Sequence, residues 1–265
     1  MTSRGELSDR LWEDFEQSNP HASRIRRLLA DRGDQVANDH IGLRTYGDAR
    51  ISVDVLAQPF LGEGYVAADI YVFEHKNLYV RHYEHPDPSR PKVVISALDL
   101  DAFSFAFQDT VRGLIDQLDR ASLDRSDLPV AGRLWDLTRR QYVLLANESE
   151  YAAWIAAFGF CANHFTVALD ALRSFDSLEA LAAFLQEQGF GVNVQGGEIK
   201  GLPDAYLEQC LTLTDPVPVM FADGSLDVPG CYYEFSQRHP LSFGELFQEV
   251  EADSTDRISQ RTDPL

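Results

Sequence analysis

Lysine is almost absent from this chain. Only Lys76, Lys92 and Lys200 occur in 265 residues, and arginine supplies the rest of 23 basic side chains set against 42 acidic ones, a formal net charge of −19. A surface of that sign repels phosphate backbones and anionic headgroups, which argues against nucleic acid and membranes as partners. An anionic small molecule would need a local arginine to overcome the global field. Cysteine is scarce as well. Cys161, Cys210 and Cys231 form an odd, sparse set, which argues against a disulfide framework and for a reducing, cytoplasmic setting. Long apolar runs are missing. The longest, Tyr151 to Ala162, falls short of the roughly 18 to 20 residues a membrane span needs, and reads as a buried helix running into a strand. Met1 to Phe15 is acidic and has no apolar stretch of the kind a secretory signal carries. Neither a glycine-rich phosphate cradle nor a nucleophile elbow is present, so nucleotide binding and serine hydrolysis have no motif to stand on.

What is there points to an α+β protein. The length suits one domain (1–265) with a sizeable core. We divide it into a helical N-terminal segment (1–36), a first module (37–100), a helical connection (101–158), a second module (159–240) and a tail (241–265). Apolar periodicity predicts a helix capped by Ser8, broken at Asn19-Pro20, and a second helix to about Asp31. Period-two alternation then begins at Ala37 and sets His40, Gly42, Arg44 and Tyr46 on one face of a strand. A helix over Ser52–Leu61 and strands over Tyr65–Phe73, Leu78–Glu84 and Lys92–Ala97 follow. The next expectations are one long helix over Asp101–Arg120 and one over Asn147–Phe158, with the stretch between them unassigned. A strand over Phe160–Leu169 and a helix over Ser177–Gln188 come next, then strands over Tyr206–Leu213, Val217–Phe221 and Gly230–Phe235.

Two stretches run in parallel. Asp39-His40-Ile41-Gly42-Leu43 leads into a helix containing Leu56-Ala57 and then Gly64-Tyr65; Asn163-His164-Phe165-Thr166-Val167 leads into a helix containing Leu181-Ala182 and then Gly189-Phe190. The histidine-to-glycine spacing is 24 residues in one and 25 in the other. This predicts two pseudo-repeated strand-helix-strands modules forming a curved mixed sheet, or half-barrel, around a common site.

Under that repeat His40 and His164 occupy equivalent strand positions, and closure of the two halves brings them together. Glu234, a carboxylate among Cys231, Tyr232, Tyr233 and Phe235, is costly unless paired or metal-bound, and is the candidate third ligand. Two histidines and one carboxylate form the facial triad of non-haem Fe(II) oxygenases. The competing reading is two buried strand histidines and a partly solvated edge glutamate. Arg44 follows His40 by four residues and points the same way, either to a substrate carboxylate or into a structural salt bridge. His82-x-x-His85, with Glu84 and His75 nearby, reads as a solvated face next to a Pro-rich turn rather than a zinc site. Cys161-x-x-His164 lacks a second half, and Cys161 reads as a small buried apolar residue.

Three blocks carry a family resemblance. Asn38 to Thr45, Ala162 to Val167 and Val228 to Arg238 resemble, in order, the signature blocks of the 2-oxoadipate dioxygenase/decarboxylase (hydroxyglutarate synthase) family. The likeness extends to Gly201–Thr212 and to a tail block, Phe247–Ile258, and the chain is compact beside the family's longer members. The resemblance implies a vicinal-oxygen-chelate-like fold and metal ligands at His40, His164 and Glu234. It also implies substrate contacts from Arg44 and from Ser254 in the tail block. The implied cofactor is Fe(II), with Zn, Mn or Ni as alternatives, and the implied partners are a small 2-oxo acid and O2. The implied reaction converts 2-oxoadipate to 2-hydroxyglutarate with uptake of O2 and release of CO2. The rival function is a metal-dependent hydrolase or isomerase on the same scaffold, since paired-module folds host several chemistries.

Overall fold

The structure is a computed structural model that describes residues 7–202, 206–241 and 247–248. Its N-terminal pair of helices is amphipathic. In α1 (Leu7–Ser18) the buried residues are Leu7, Leu11 and Phe15, and in α2 (Pro20–Asp31) they are Ala22, Ile25 and Leu29. Each set repeats at helical spacing and turns one stripe inward. The Asn19 side chain accepts from the Ala22 N–H, and Pro20 sits in the first turn, where no N–H is needed. Ser8 lies inside α1 and does not cap it.

The first module is β1 (Asn38–Tyr46), α3 (Val53–Gly62), β2 (Val66–Phe73), β3 (Leu78–Glu84) and β4 (Lys92–Leu98). The second is β5 (Ala162–Ala168), α8 (Leu178–Glu187), β6 (Lys200–Leu202), β7 (Leu207–Leu211) and β10 (Tyr232–Arg238), with a separate hairpin, β8 (Pro216–Phe221) and β9 (Gly224–Pro229), inserted before β10. Eight strands form one sheet in the order β2-β3-β4-β1-β5-β10-β7-β6. The order is symmetric about its centre. β4 pairs parallel with β1 as β10 does with β5, β3 pairs antiparallel with β4 as β7 does with β10, and β1 meets β5 antiparallel at the junction. The pseudo-repeat is therefore a real two-fold relation between half-sheets.

Both faces of β1 are buried from His40 to Tyr46, so the alternation marks two different interiors, not inside against outside. Ile41 and Leu43 face an apolar layer, while His40, Gly42 and Arg44 face the opposite side of the sheet. Phe165 of β5 anchors the apolar layer. Its ring lies 5.0 Å from that of Phe15 and 5.2 Å from that of Trp12.

Between the modules the chain departs from the expected pattern. The helix over Asp101–Arg120 is a short turn (Leu100–Ala102), then α4 (Phe105–Ile115), then α5 (Arg120–Leu123). The Ser104 hydroxyl accepts from Phe107 N–H and starts α4 afresh, and Asp119 does the same for α5. Likewise Asn147 does not cap a helix. It lies inside α6 (Arg139–Glu148), and α7 (Glu150–Phe158) begins after an extended Ser149 whose side chain accepts from Ala152 N–H. In each case a serine or aspartate offers the backbone a local partner that ends one helix and opens the next. β6 and β9 were not anticipated, and the last strand continues past Phe235 to Arg238. No helix among the described residues is long and apolar enough to cross a membrane.

Truncating the ring that joins the helical layer to the sheet should leave a cavity that the rigid strand cannot close. Phe165→Ala is expected to lower stability by about 3–5 kcal/mol, read as a shift of the urea midpoint with an unchanged slope.

Candidate metal centre

The strand register aligns the site. One cross-strand row runs from His40 on β1 through Thr166 on β5 to Glu234 on β10; the next runs from Gly42 through His164 to Tyr232. Residues in a row share a face of the sheet, so His40 and Glu234 flank Thr166, with His164 one row away. Gly42 is what permits this arrangement. A Cβ at that position would fall inside the His164 imidazole, so the ring lies over β1 only because nothing projects there.

His40, His164 and Glu234 are all buried, and one ligand-type atom from each lies within 4.8 Å of the others. Among the described residues these are the only three His, Cys, Asp or Glu side chains so grouped. The Nε2 atoms of the two imidazoles are 3.3 Å apart, and His40 Nε2 is 3.6 Å from Glu234 Oε1. Their protonation follows from their other partners. Asp39 Oδ2 lies 2.7 Å from His40 Nδ1. A carboxylate can only accept there, so Nδ1 carries the proton and Nε2 presents a lone pair. His164 Nδ1 faces Asn163 Oδ1 at 3.0 Å and the Tyr232 hydroxyl at 2.8 Å, which again leaves Nε2 as the lone-pair nitrogen. Burial, with the positive charge of Arg44 beside it, pushes His164 well below the ordinary histidine pKa. Thr166 Oγ1 donates to Glu234 Oε1 at 2.7 Å and lies 3.1 Å from His40 Nε2. Gln209 Nε2 donates to the same carboxylate oxygen at 2.7 Å, while Glu234 Oε2 has no hydrogen-bond partner among the described residues.

Acceptors thus face acceptors among buried side chains, a costly arrangement that a cation would satisfy. Two imidazole nitrogens and one carboxylate are a donor set suited to a first-row divalent metal. A fourth protein ligand has no place by symmetry. Glu234 stands two residues beyond the partner of His164, and the matching residue of the first module, two beyond the partner of His40, is Val94.

Arg44 is 3% exposed. It makes no ion pair among the described residues. Its guanidinium carbon lies 4.4 Å from the ring centre of Tyr151 and 5.5 Å from that of Trp154, and among the described residues its Nη2 has no hydrogen-bond partner. A buried cation held on aromatic faces suits a visiting carboxylate; the structural salt bridge considered from sequence is not found among the described residues. His82, expected on a solvated face, is buried. Its Nδ1 lies 3.3 Å from the Tyr71 hydroxyl and its Nε2 3.4 Å from Glu84. The cause is β3, which runs between β2 and β4 and turns His82 inward beside Val94. Cys161 is a buried free thiol. Ser254 lies outside the described residues.

Sequence reasoning passed over Asp39, Asn163, Thr166, Gln209, Tyr232 and Arg238. A signal for two of them was in view, because an Asx residue precedes each histidine of the repeat. Both sit at register slips in the β1–β5 ladder. Asp39 is the extra residue between the Asn38 and His40 pairings, and Asn163 is the extra residue between those of Ala162 and His164. A bulge re-aims the side chain it carries, and here each bulged Asx reaches the Nδ1 of the next residue.

A family model described as 2-oxoadipate dioxygenase/decarboxylase matches residues 9–264. The chain belongs to that family. The chloroplastic 2-oxoadipate dioxygenase/decarboxylase of Arabidopsis thaliana is 31% identical over 255 residues, covering 90% of this chain and 69% of its own length. A Shewanella frigidimarina structure for which a hydrolase role has been suggested is 43% identical, with a TM-score of 0.88 over 92% of this chain and 96% of its own. The hydroxyglutarate synthase of Oryza sativa, solved in complex with 2-oxoadipate, is 27% identical, with a TM-score of 0.87 over 95% of this chain and 89% of its own. The family is one of enzymes, and the paired-module, vicinal-oxygen-chelate-like fold implied by the signature blocks is the fold found.

The seat of His164 can be tested directly. Gly42→Ala should cost about 1–3 kcal/mol from overpacking and weaken Co(II) binding more than tenfold, as the imidazole is driven off β1. Unchanged Co(II) affinity in a folded Gly42→Ala protein would contradict this account.

Proposed function

We propose that the chain is an Fe(II)-dependent dioxygenase/decarboxylase of a 2-oxo acid, with 2-oxoadipate as substrate and 2-hydroxyglutarate and CO2 as products. The observation that carries the reading is the buried meeting of His40 Nε2, His164 Nε2 and the Glu234 carboxylate, with lone pairs turned on one another and Glu234 Oε2 unpartnered. These three side chains would hold the metal. When bound, Fe(II) supplies a chelation point for the 2-oxo acid and a centre at which O2 is reduced.

The remaining work falls to the chain's own groups. Arg44, pinned on Tyr151 and Trp154, offers a free Nη2 donor to one carboxylate of the substrate and fixes its direction. Asp39 holds the proton on His40 Nδ1, and Asn163 and Tyr232 hold that on His164 Nδ1, so both Nε2 atoms stay available. Thr166 and Gln209 bind Glu234 Oε1 and keep the carboxylate from turning away. Charge supports a dicarboxylate in particular. Asp39 and Arg238 cancel, so the site proper carries Glu234 and Arg44. A divalent cation leaves that site with a surplus of about two positive charges, which a dianion neutralises.

Anaerobic loading with Fe(II), followed by O2 and 2-oxoadipate or other 2-oxo acids, tests the reading. One O2 consumed and one CO2 released per 2-hydroxyglutarate is the expected stoichiometry. No O2 uptake with any 2-oxo acid overturns it, and turnover with Zn or Mn in the absence of O2 would favour the hydrolase or isomerase alternative. His40→Ala, His164→Ala and Glu234→Ala are each expected to abolish stoichiometric metal binding. Arg44→Ala should keep the metal and raise KM for the diacid by at least about tenfold, the scale of one lost charge-assisted contact.

A further inference from the structure

The two histidines of the site are supported in different ways. His164 Nδ1 rests on neutral groups, the Asn163 amide and the Tyr232 hydroxyl. His40 Nδ1 rests on a carboxylate, and that carboxylate is itself clamped: Arg238 Nε donates to Asp39 Oδ1 at 2.7 Å and Arg238 Nη2 to Asp39 Oδ2 at 2.8 Å. We propose that Asp39 and Arg238 are a positioning pair, which fixes the His40 ring and its Nδ1 proton and ties that ring to the strand carrying Glu234. The proposal rests on the reading of His40, His164 and Glu234 as metal ligands.

Three observations carry it. The first is backbone geometry. Asp39 is the extra residue of a β-bulge, and a bulge in that place is what lets its side chain reach the next residue's ring. The second is the route of the ion pair. β1 and β10 are not neighbours in the sheet, since β5 runs between them. The pair therefore adds a link that strand pairing does not already make. Arg238 lies four residues after Glu234 on the same strand, hence on the same side of the sheet. One strand thus presents a ligand and the brace for another ligand. The third is energetic. Both partners are buried, with side-chain exposures of 7% and 9%. Replacing a buried ion pair by packed apolar residues is often neutral for stability, so the pair calls for another role, and orientation of the imidazole supplies one.

Co(II) alone, added anaerobically to the full chain, is the probe. Its binding is followed by visible absorption, and the imidazole N–H protons by their hyperfine-shifted proton resonances. Asp39→Ala is expected to bind Co(II) 10- to 100-fold more weakly and to lose one exchangeable shifted N–H signal. Asp39→Asn combined with Arg238→Gln keeps an acceptor at His40 Nδ1 and leaves no lone charge. It should retain the N–H signal and bind Co(II) more tightly than Asp39→Ala, yet at least threefold more weakly than the parent. Should Asp39→Ala fail to fold, the paired variant decides alone. Parental Co(II) affinity in either folded variant, with the N–H signals unchanged, overturns the proposal while leaving the metal site standing. Absence of Co(II) binding by the parent protein overturns the metal reading and this proposal with it.

Discussion

The antiparallel meeting of β1 and β5 is the constraint on which the rest of this molecule depends. Each half-sheet has a polar inner face that it cannot bury alone, and the centre of the sheet is where the two are joined. Because side chains alternate along a strand, sliding β5 by one residue would turn His164 into the apolar layer and Phe165 into the site. Phe165, packed on Phe15 and Trp12, opposes that slip. The apolar layer thus fixes the register, and the register aligns His40, Thr166 and Glu234 in one row. Gly42 answers the remaining demand, giving the His164 ring a floor without a side chain.

A second consequence of that junction is electrostatic. The site gathers two anions, Asp39 and Glu234, and two cations, Arg44 and Arg238, in a chain whose formal net charge is −19. Only one oppositely charged couple among them, Asp39 with Arg238, is closed by direct contact. Arg44 is held by aromatic rings and Glu234 by neutral donors. The latter two therefore keep most of their charge for something that enters. A buried arginine of this kind also answers the difficulty raised by composition. The acidic surface repels an anionic substrate at long range, but over distances beyond about 8 Å that repulsion is screened at physiological ionic strength. The local field of Arg44 operates among buried side chains, where screening is weak.

Much of this was legible in the sequence, and the reasons are physical. The two modules could be read because strand and helix periods are properties of single segments, and because the repeat doubled each signal. His40 and His164 could be read because the repeat gives them equivalent strand positions, and Glu234 because a carboxylate amid apolar neighbours is costly, with the signature blocks joining the three. The positioning groups could not be read in the same way. Thr166 and Gln209 are ordinary strand residues whose roles exist only through register with β10. Arg238 was hidden because the last strand was expected to stop at Phe235, which would put it in a loop. His82 was misjudged because the Pro86–Pro88 stretch that follows it is a surface turn, whereas β3 lies between β2 and β4 and buries His82 on one face. The split helices in the connection failed for a different reason: Ser104 and Ser149 begin new helices by capping, a choice that apolar periodicity does not register.

The two bulges show how a repeat can be kept in geometry and broken in chemistry. Both modules insert one Asx residue before the histidine, and both use it to reach Nδ1. Symmetry would be served equally by two asparagines or two aspartates. Two aspartates would bring three buried carboxylates together with Glu234, and the second would need its own counter-ion. Arg238 is already committed to Asp39 through both Nε and Nη2, and Arg44 is seated over Tyr151 and Trp154. Two asparagines would take from Arg238 the carboxylate that both its Nε and its Nη2 now reach. One of each is the arrangement in which every charge at the junction is either paired or left for a ligand. The departure from perfect repetition is thus set by the single arginine on β10, the strand that also carries Glu234.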